Sequence, residues 1–339
     1  MVFLGISVSN FTVNLPGRLF NATNASQVCT FSVISMFQQR LNMFLISVTL
    51  CLVGTLLANP LLVVLILLTK RFRQETRYVL LANILVADLI FLLLNSLISI
   101  SISAQQCMPT LLCDVVVIGR IVSELSSVIT ITVMAIDTYV AVSFPLRYLS
   151  LISPSRTIKL IILIWILASM YPLILLSAIL AKQPALTHGH KMCLMLPLPE
   201  LSSFDHHLIL EMNIFLLCII LLFFPMVLYC YVMLYVKTRS SGIWDSVKSR
   251  ARMTLLIHAI VLFLYFVPCL IFSFEILFRN SHLISLSDRI WLHSINIHVF
   301  MMLPRLLCPY LYGLRYRELA EAVKRLLTIR THRVHVINT

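Results

Sequence analysis

Seven apolar runs, each long enough to cross a lipid bilayer, constrain this 339-residue chain more than any other feature. They lie near 43–68, 78–101, 113–143, 158–180, 208–236, 253–277 and 290–314. A helical crossing needs roughly 17–25 apolar residues, and no run here carries a long charged interruption. Lipid offers the backbone no hydrogen-bond partners, so each run is expected to satisfy its own by forming a helix. The third run is the least apolar, because Arg120, Glu124 and many Ser and Thr lie within it. Hydrophobic residues make up 60% of the chain and charged residues 12%, and no connection is long enough for a second soluble domain. The expected fold class is therefore an all-α membrane protein, a seven-transmembrane helix bundle.

Charge sets the expected orientation. Of the 26 Lys and Arg residues, 18 fall in four segments on one side, at 70–77, 147–159, 237–252 and 315–333. Arg18, Arg40, Lys182, Lys191, Arg279 and Arg289 lie on the other side, while Arg120 and Arg305 lie within spans. Positive residues mark the cytoplasm, which puts the N-terminus outside and the C-terminus inside. Topology and anionic lipid headgroups account for the net charge of +13 without a nucleic-acid partner. Residues 1–41 are expected to be an extracellular N-terminus, 42–314 the membrane domain, and 315–339 a cytoplasmic helix and tail. In that tail Leu319, Val323, Leu326 and Leu327 share one face, as in a short amphipathic helix on the inner leaflet.

Three sequons, at Asn10, Asn21 and Asn24, crowd the extracellular N-terminus and mark expected glycosylation sites. Residues 1–10 lack the charged start and apolar stretch of a cleavable signal peptide. Four cysteines fall outside, Cys29, Cys107, Cys113 and Cys193, and an oxidising compartment allows them three pairings. From Cys113 to Thr138 the third span covers roughly 38 Å of helix against a hydrocarbon core of about 30 Å. Cys113 therefore reaches the outer surface, and Asp137-Thr138-Tyr139 reaches the inner one.

Asn59, the run Leu85 to Asp88, Cys113, Asp137-Thr138-Tyr139 and Trp165 resemble the pattern of rhodopsin-like receptors. Pro225, Phe266-Val267-Pro268 and Cys308-Pro309-Tyr310-Leu311-Tyr312 continue it, in order, through the last three spans. That resemblance implies a multi-pass plasma-membrane receptor that carries an extracellular signal to a heterotrimeric G protein. Cys113–Cys193 is the expected disulfide, tying the second outer loop to the third span; Cys29–Cys107 remains open as another. Four switch positions depart from the family. Thr138 replaces the arginine that holds the inner lock and later meets the G protein. Phe266 stands for a tryptophan, Cys308 for an asparagine, and Met233 for a tyrosine, although Tyr231 and Tyr235 are close by. The expected consequence is weakened or atypical coupling. The alternative is a receptor-shaped protein that does not couple and instead modulates another membrane protein by association.

No enzyme is expected, since the chain contains no metalloprotease, nucleophile-elbow or P-loop sequence. No cofactor is expected either: the seventh span has no lysine for a retinal Schiff base. The histidines lack the paired spacing that fixes a metal geometry. Charged residues inside a bilayer are costly, so each needs a reason. Arg120 and Glu124 lie four apart on one face of the third span, and Ser127 continues the stripe. They form either a mutually neutralised pair supporting the bundle or, with His298, a ligand pocket. By resemblance Arg120 takes the place of an aspartate in amine receptors, which disfavours amine ligands and suits a carboxylate. Asp88 matches the acid that binds sodium in the family, with Ser123 and Ser127 in supporting positions and Asn59 in the same polar core. Arg305, one turn outward of Pro309, is expected to pair with Asp88 and fill that site; a second reading turns it to Glu124 or to a water-filled cavity. Asp137 and Tyr139 stay at the inner face, with Arg147 or Arg156 as the expected partner of Asp137.

Overall fold

A computed structural model of the chain describes residues 31–104, 106, 108–144, 148, 154–182, 190–191, 206–240, 257, 260–268, 270–271, 273–274, 286–315 and 321. The expected glycosylation sites Asn10, Asn21 and Asn24, the cysteines Cys29, Cys107 and Cys193, and all of the tail except Arg315 and Glu321 lie outside the described residues.

Helix α1 spans Phe31–Leu68, α2 Lys70–Arg73, α3 Thr76–Ser103, α4 Thr110–Ser143, α5 Pro154–Lys182 and α6 His206–Ser240. Residues 260–268 form α7. Then come α8 (Leu286–Ile295), a π-turn (Asn296–Phe300) and α9 (Leu303–Arg315). A short antiparallel pair joins β1 (Met108–Pro109) to β2 (His190–Lys191), with Met108 opposite Lys191. Among the described residues, four stretches are long and apolar enough to cross a membrane: Val48–Leu68, Thr76–Ser103, Leu111–Ala141 and Ser155–Ile174. The Ser and Thr residues of α4 do not interrupt it. Ser123, Thr130, Thr132 and Thr138 each donate a hydroxyl to the carbonyl four residues back, which keeps these polar groups satisfied within the helix.

The burial pattern is inverted relative to a water-soluble bundle. Leu57 is 71% exposed and Leu68 80%, whereas Asn59, Asp88, Asn95, Ser123, Ser126, Thr130 and Arg305 are all at 0%. Water would penalise such an apolar exterior, and lipid does not. Packing follows chain order in part: α3 lies against α1 and α4, α4 against α5 and α6, and α1 returns to α9. Glycine permits two close approaches. A Cβ on Gly54 would meet the Leu306 side chain at 2.9 Å, and one on Gly119 would meet that of Leu94 at 2.9 Å.

Prolines sit where the helices tolerate them. Pro60, Pro172, Pro225 and Pro309 lie inside α1, α5, α6 and α9. Pro304 is the second residue of α9, where its missing N–H costs no intrahelical bond. The sequence offered no warning of the π-turn just upstream, closed by Met301 N–H donating to the Asn296 carbonyl at 2.9 Å.

Candidate functional site

Arg305 is the largest side chain wholly withdrawn from the surface, and its surroundings define the site. It projects from the first turn of α9 and donates through one guanidinium nitrogen to Glu124 on α4, and through another to the Met301 carbonyl. Asp88 of α3, its expected partner, lies at 3.9 Å from Nε. That ion pair stands beside two hydrogen bonds, in which Asp88 accepts from Ser127 Oγ at 3.0 Å and from the Tyr265 hydroxyl of α7. The Phe91 ring, on α3, closes the other side with Arg305 Cζ 3.5 Å from its centroid. Two carboxylates thus flank one guanidinium, and four helices contribute. Glu124 and Ser127 arrive together because they are three apart on α4 and share a face. A buried charge persists only when paired and hydrogen-bonded, and Arg305 meets both conditions.

Arg120 occupies the same α4 stripe one turn toward Cys113. Among the described residues, the ion pair of Glu124 is with Arg305 and not with Arg120. Arg120 Nη1 donates to Met301 Sδ at 3.8 Å, and its Cζ lies 5.3 Å from the Phe91 centroid. His298 is buried within the π-turn. The three residues expected to line one ligand pocket therefore have different surroundings: Arg120 against Met301 and Phe91, Glu124 against Arg305, His298 inside the turn.

At the opposite end of α4, both oxygens of Asp137 accept from the Tyr148 hydroxyl at 3.3 Å. Among the described residues the hydrogen-bond partner of Asp137 is thus a phenol, with the Arg77 charge also acting on the carboxylate; Arg147, with Arg156 an expected partner, lies outside the described residues. Burial, then the neighbouring Asp137 charge, pushes the Tyr148 phenol up to about 12. Thr138 turns its hydroxyl back to the Met134 carbonyl at 2.8 Å. Tyr139 faces the Tyr229 ring of α6 at 6.5 Å. Of the other switch residues, Phe266 meets Phe224 edge-on at 5.7 Å, while Pro268, Cys308, Pro309 and Tyr312 are buried.

Two hydrogen-bonded clamps hold this frame. Asn59 Nδ2 donates to the Leu85 carbonyl at 3.2 Å, joining α1 to α3. Trp165 Nε1 of α5 donates to Asn83 Oδ1 at 2.9 Å, and Asn83 Nδ2 reaches Thr130 Oγ1 at 2.8 Å. One asparagine thereby bridges three helices. Near the start of α4, Cys113 is disulfide-bonded, and β2 lies two residues before Cys193.

Residues 58–312 match the 7 transmembrane receptor (rhodopsin family). The chain belongs to the rhodopsin family of seven-transmembrane receptors. The receptor is 34% identical to human Probable G-protein coupled receptor 148, over 82% of this chain and 80% of the relative. It is 26% identical to zebrafish (Danio rerio) Odorant receptor 131-2, over 80% of this chain and 82% of that protein. Rat Olfactory receptor 1468 is 26% identical over 57% of this chain and 60% of its own length.

Sequence reasoning missed four residues that matter to the receptor's interior: Tyr265, Tyr148, Phe91 and Met301. Tyr265 immediately precedes the Phe266-Val267-Pro268 motif, and a tyrosine deep in a span calls for a hydrogen-bond partner. Tyr148 follows Pro145 beyond the span, where no periodicity marks it. Phe91 and Met301 carry no signal, since an apolar residue in an apolar run is unremarkable.

Proposed function

We propose that this chain is a plasma-membrane receptor of seven spans, with its N-terminus outside and its C-terminus inside. It passes an extracellular signal to a heterotrimeric G protein with weakened coupling. The observation that carries the reading is the pair of contacts at the Asp137 end of α4. Thr138 bonds its own helix through Met134, and Asp137 is held by Tyr148, so no guanidinium stands at the position that meets the G protein in the family. Residues 1–41 form the glycosylated exterior, carrying sugars at Asn10, Asn21 and Asn24, 42–314 the receptor domain, and 315–339 the inner-leaflet helix and tail. A Cys113–Cys193 disulfide ties the second outer loop to α4, supported by the bonded state of Cys113 and the β1–β2 pairing beside it.

The ligand enters from the Cys113 side and meets Arg120, with His298 contributing from the last span. A guanidinium there repels an amine and attracts a carboxylate. The test is a G-protein assay on cells expressing the chain, titrated with small carboxylates and amines. A dose-dependent response to a carboxylate supports the reading. The same departure at Thr138 favours a second one, a receptor-shaped protein that modulates another membrane protein by association. No G-protein response to any ligand, alongside co-purification with a membrane partner, would favour that alternative.

A further inference from the structure

Met301 stands at the joint of the last span and touches two guanidinium groups through different atoms. Its sulfur accepts from Arg120 Nη1 at 3.8 Å, and its carbonyl accepts from Arg305. Its amide closes the π-turn by donating to Asn296 at 2.9 Å. Asn296 in turn donates through Nδ2 to the Pro268 carbonyl at 3.1 Å, linking the turn to α7 and the residues after it. Phe91 lies against both arginines, at 5.3 Å from Arg120 and 3.5 Å from Arg305. One methionine therefore joins the cation at the Cys113 end of the bundle, the buried ion cluster, and the turn bonded to the Pro268 carbonyl.

We propose that Met301 is a relay: withdrawal of Arg120 from its sulfur loosens the joint and, through the Met301 carbonyl and amide, frees the Arg305 cluster. Three properties of the parts support this. A thioether is a weak acceptor, so a carboxylate arriving at Arg120 forms a stronger, charge-assisted bond than the sulfur does. Methionine is unbranched with three rotatable bonds, so its side chain repositions once that contact is lost. A π-turn is held by i→i+5 bonds and interrupts the regular helix where such turns often serve function. The choice of an anion as trigger rests on the receptor reading above; the mechanical coupling does not.

Cys308 provides a local reporter. It is a buried, free thiol three residues beyond Arg305 on the same helix. Cys230 is a second buried, free thiol, on α6. The experiment labels the detergent-purified full chain with N-ethylmaleimide and resolves each cysteine by peptide mass spectrometry. Arg120→Gln and Met301→Leu are each expected to speed Cys308 labelling several-fold and to leave Cys230 unchanged. The double variant should label no faster than Arg120→Gln alone, because the sulfur contact is already lost there. Multiplicative effects, or equal acceleration at Cys230 and Cys308, would overturn the relay. If Arg120→Gln fails to fold, Met301→Leu alone decides: it conserves volume and removes only the sulfur, so an unchanged Cys308 rate also overturns it. No ligand or G protein takes part, so this result stands or falls separately from the receptor reading.

Discussion

Arg305 on α9 reaches Glu124 on α4, and that pair ties the last span to the third at the centre of the bundle. Asp88 stands behind it at 3.9 Å, held by Ser127 and Tyr265. The two acids share one resident cation, and the Arg305 guanidinium occupies the place beside them that a soluble cation would need.

Removing that cation leaves two buried carboxylates facing one another. Arg305→Leu is expected to lower stability by roughly 3–5 kcal/mol, the usual consequence of breaking a buried ion pair. Arg305→Leu with Glu124→Leu should recover part of the loss, since the stranded charge goes too. Thermal unfolding of the detergent-purified chain checks both, and additive losses would refute the pairing. A stabilising effect of sodium over choline should be missing in the native chain.

The Tyr148–Asp137 contact is a neutral donor on an acid, so Tyr148→Phe should cost about 0.5–1.5 kcal/mol. Its pH behaviour has a definite sign. The folded phenol titrates at about 12, above its ordinary value, so its contribution is whole below about pH 10 and disappears as pH rises through 12. A spectrophotometric titration of the native chain minus Tyr148→Phe should show a phenolate step displaced upward. A step near pH 10 would contradict the contact.

Much of this was legible in the sequence, and the omissions have physical causes. Spacing alone put Cys113 and Asp137 at opposite ends of one helix, and α4 runs unbroken between them. The same stripe logic placed Arg120, Glu124 and Ser127 on one face. Spacing within a helix cannot say which residues on other helices face that stripe. Glu124 lies one helical turn from Arg120, yet it pairs with a residue 181 positions away. Arg305 forms ion pairs with both Glu124 and Asp88, so the two readings of its partner were not exclusive, and no pattern announced that one guanidinium serves both acids.

Asn83 shows what such interhelical bonds contribute. It bridges Trp165 and Thr130, and Asn83→Leu would leave the indole N–H without its acceptor in an apolar surrounding. A loss of about 1–3 kcal/mol is expected by thermal unfolding. The paired change Asn83→Leu with Trp165→Phe should be milder than the sum of the two, because neither partner is then stranded.

Peptide mapping without reductant is expected to recover Cys113 linked to Cys193. Losing such a crosslink typically costs about 2–5 kcal/mol, so Cys193→Ser should lower surface expression. Recovery of Cys113 joined to Cys29 or Cys107 would refute the pairing while leaving its bonded state intact.

Thr138, bonded to its own helix, is expected to leave the receptor with weak G-protein output. A threonine has neither the reach nor the forked donors of a guanidinium. The direct measurement is second-messenger output in cells, comparing the native chain with Thr138→Arg at matched surface expression. Low native output that rises several-fold in Thr138→Arg is the expected result. Robust native output, undiminished relative to Thr138→Arg, would contradict it.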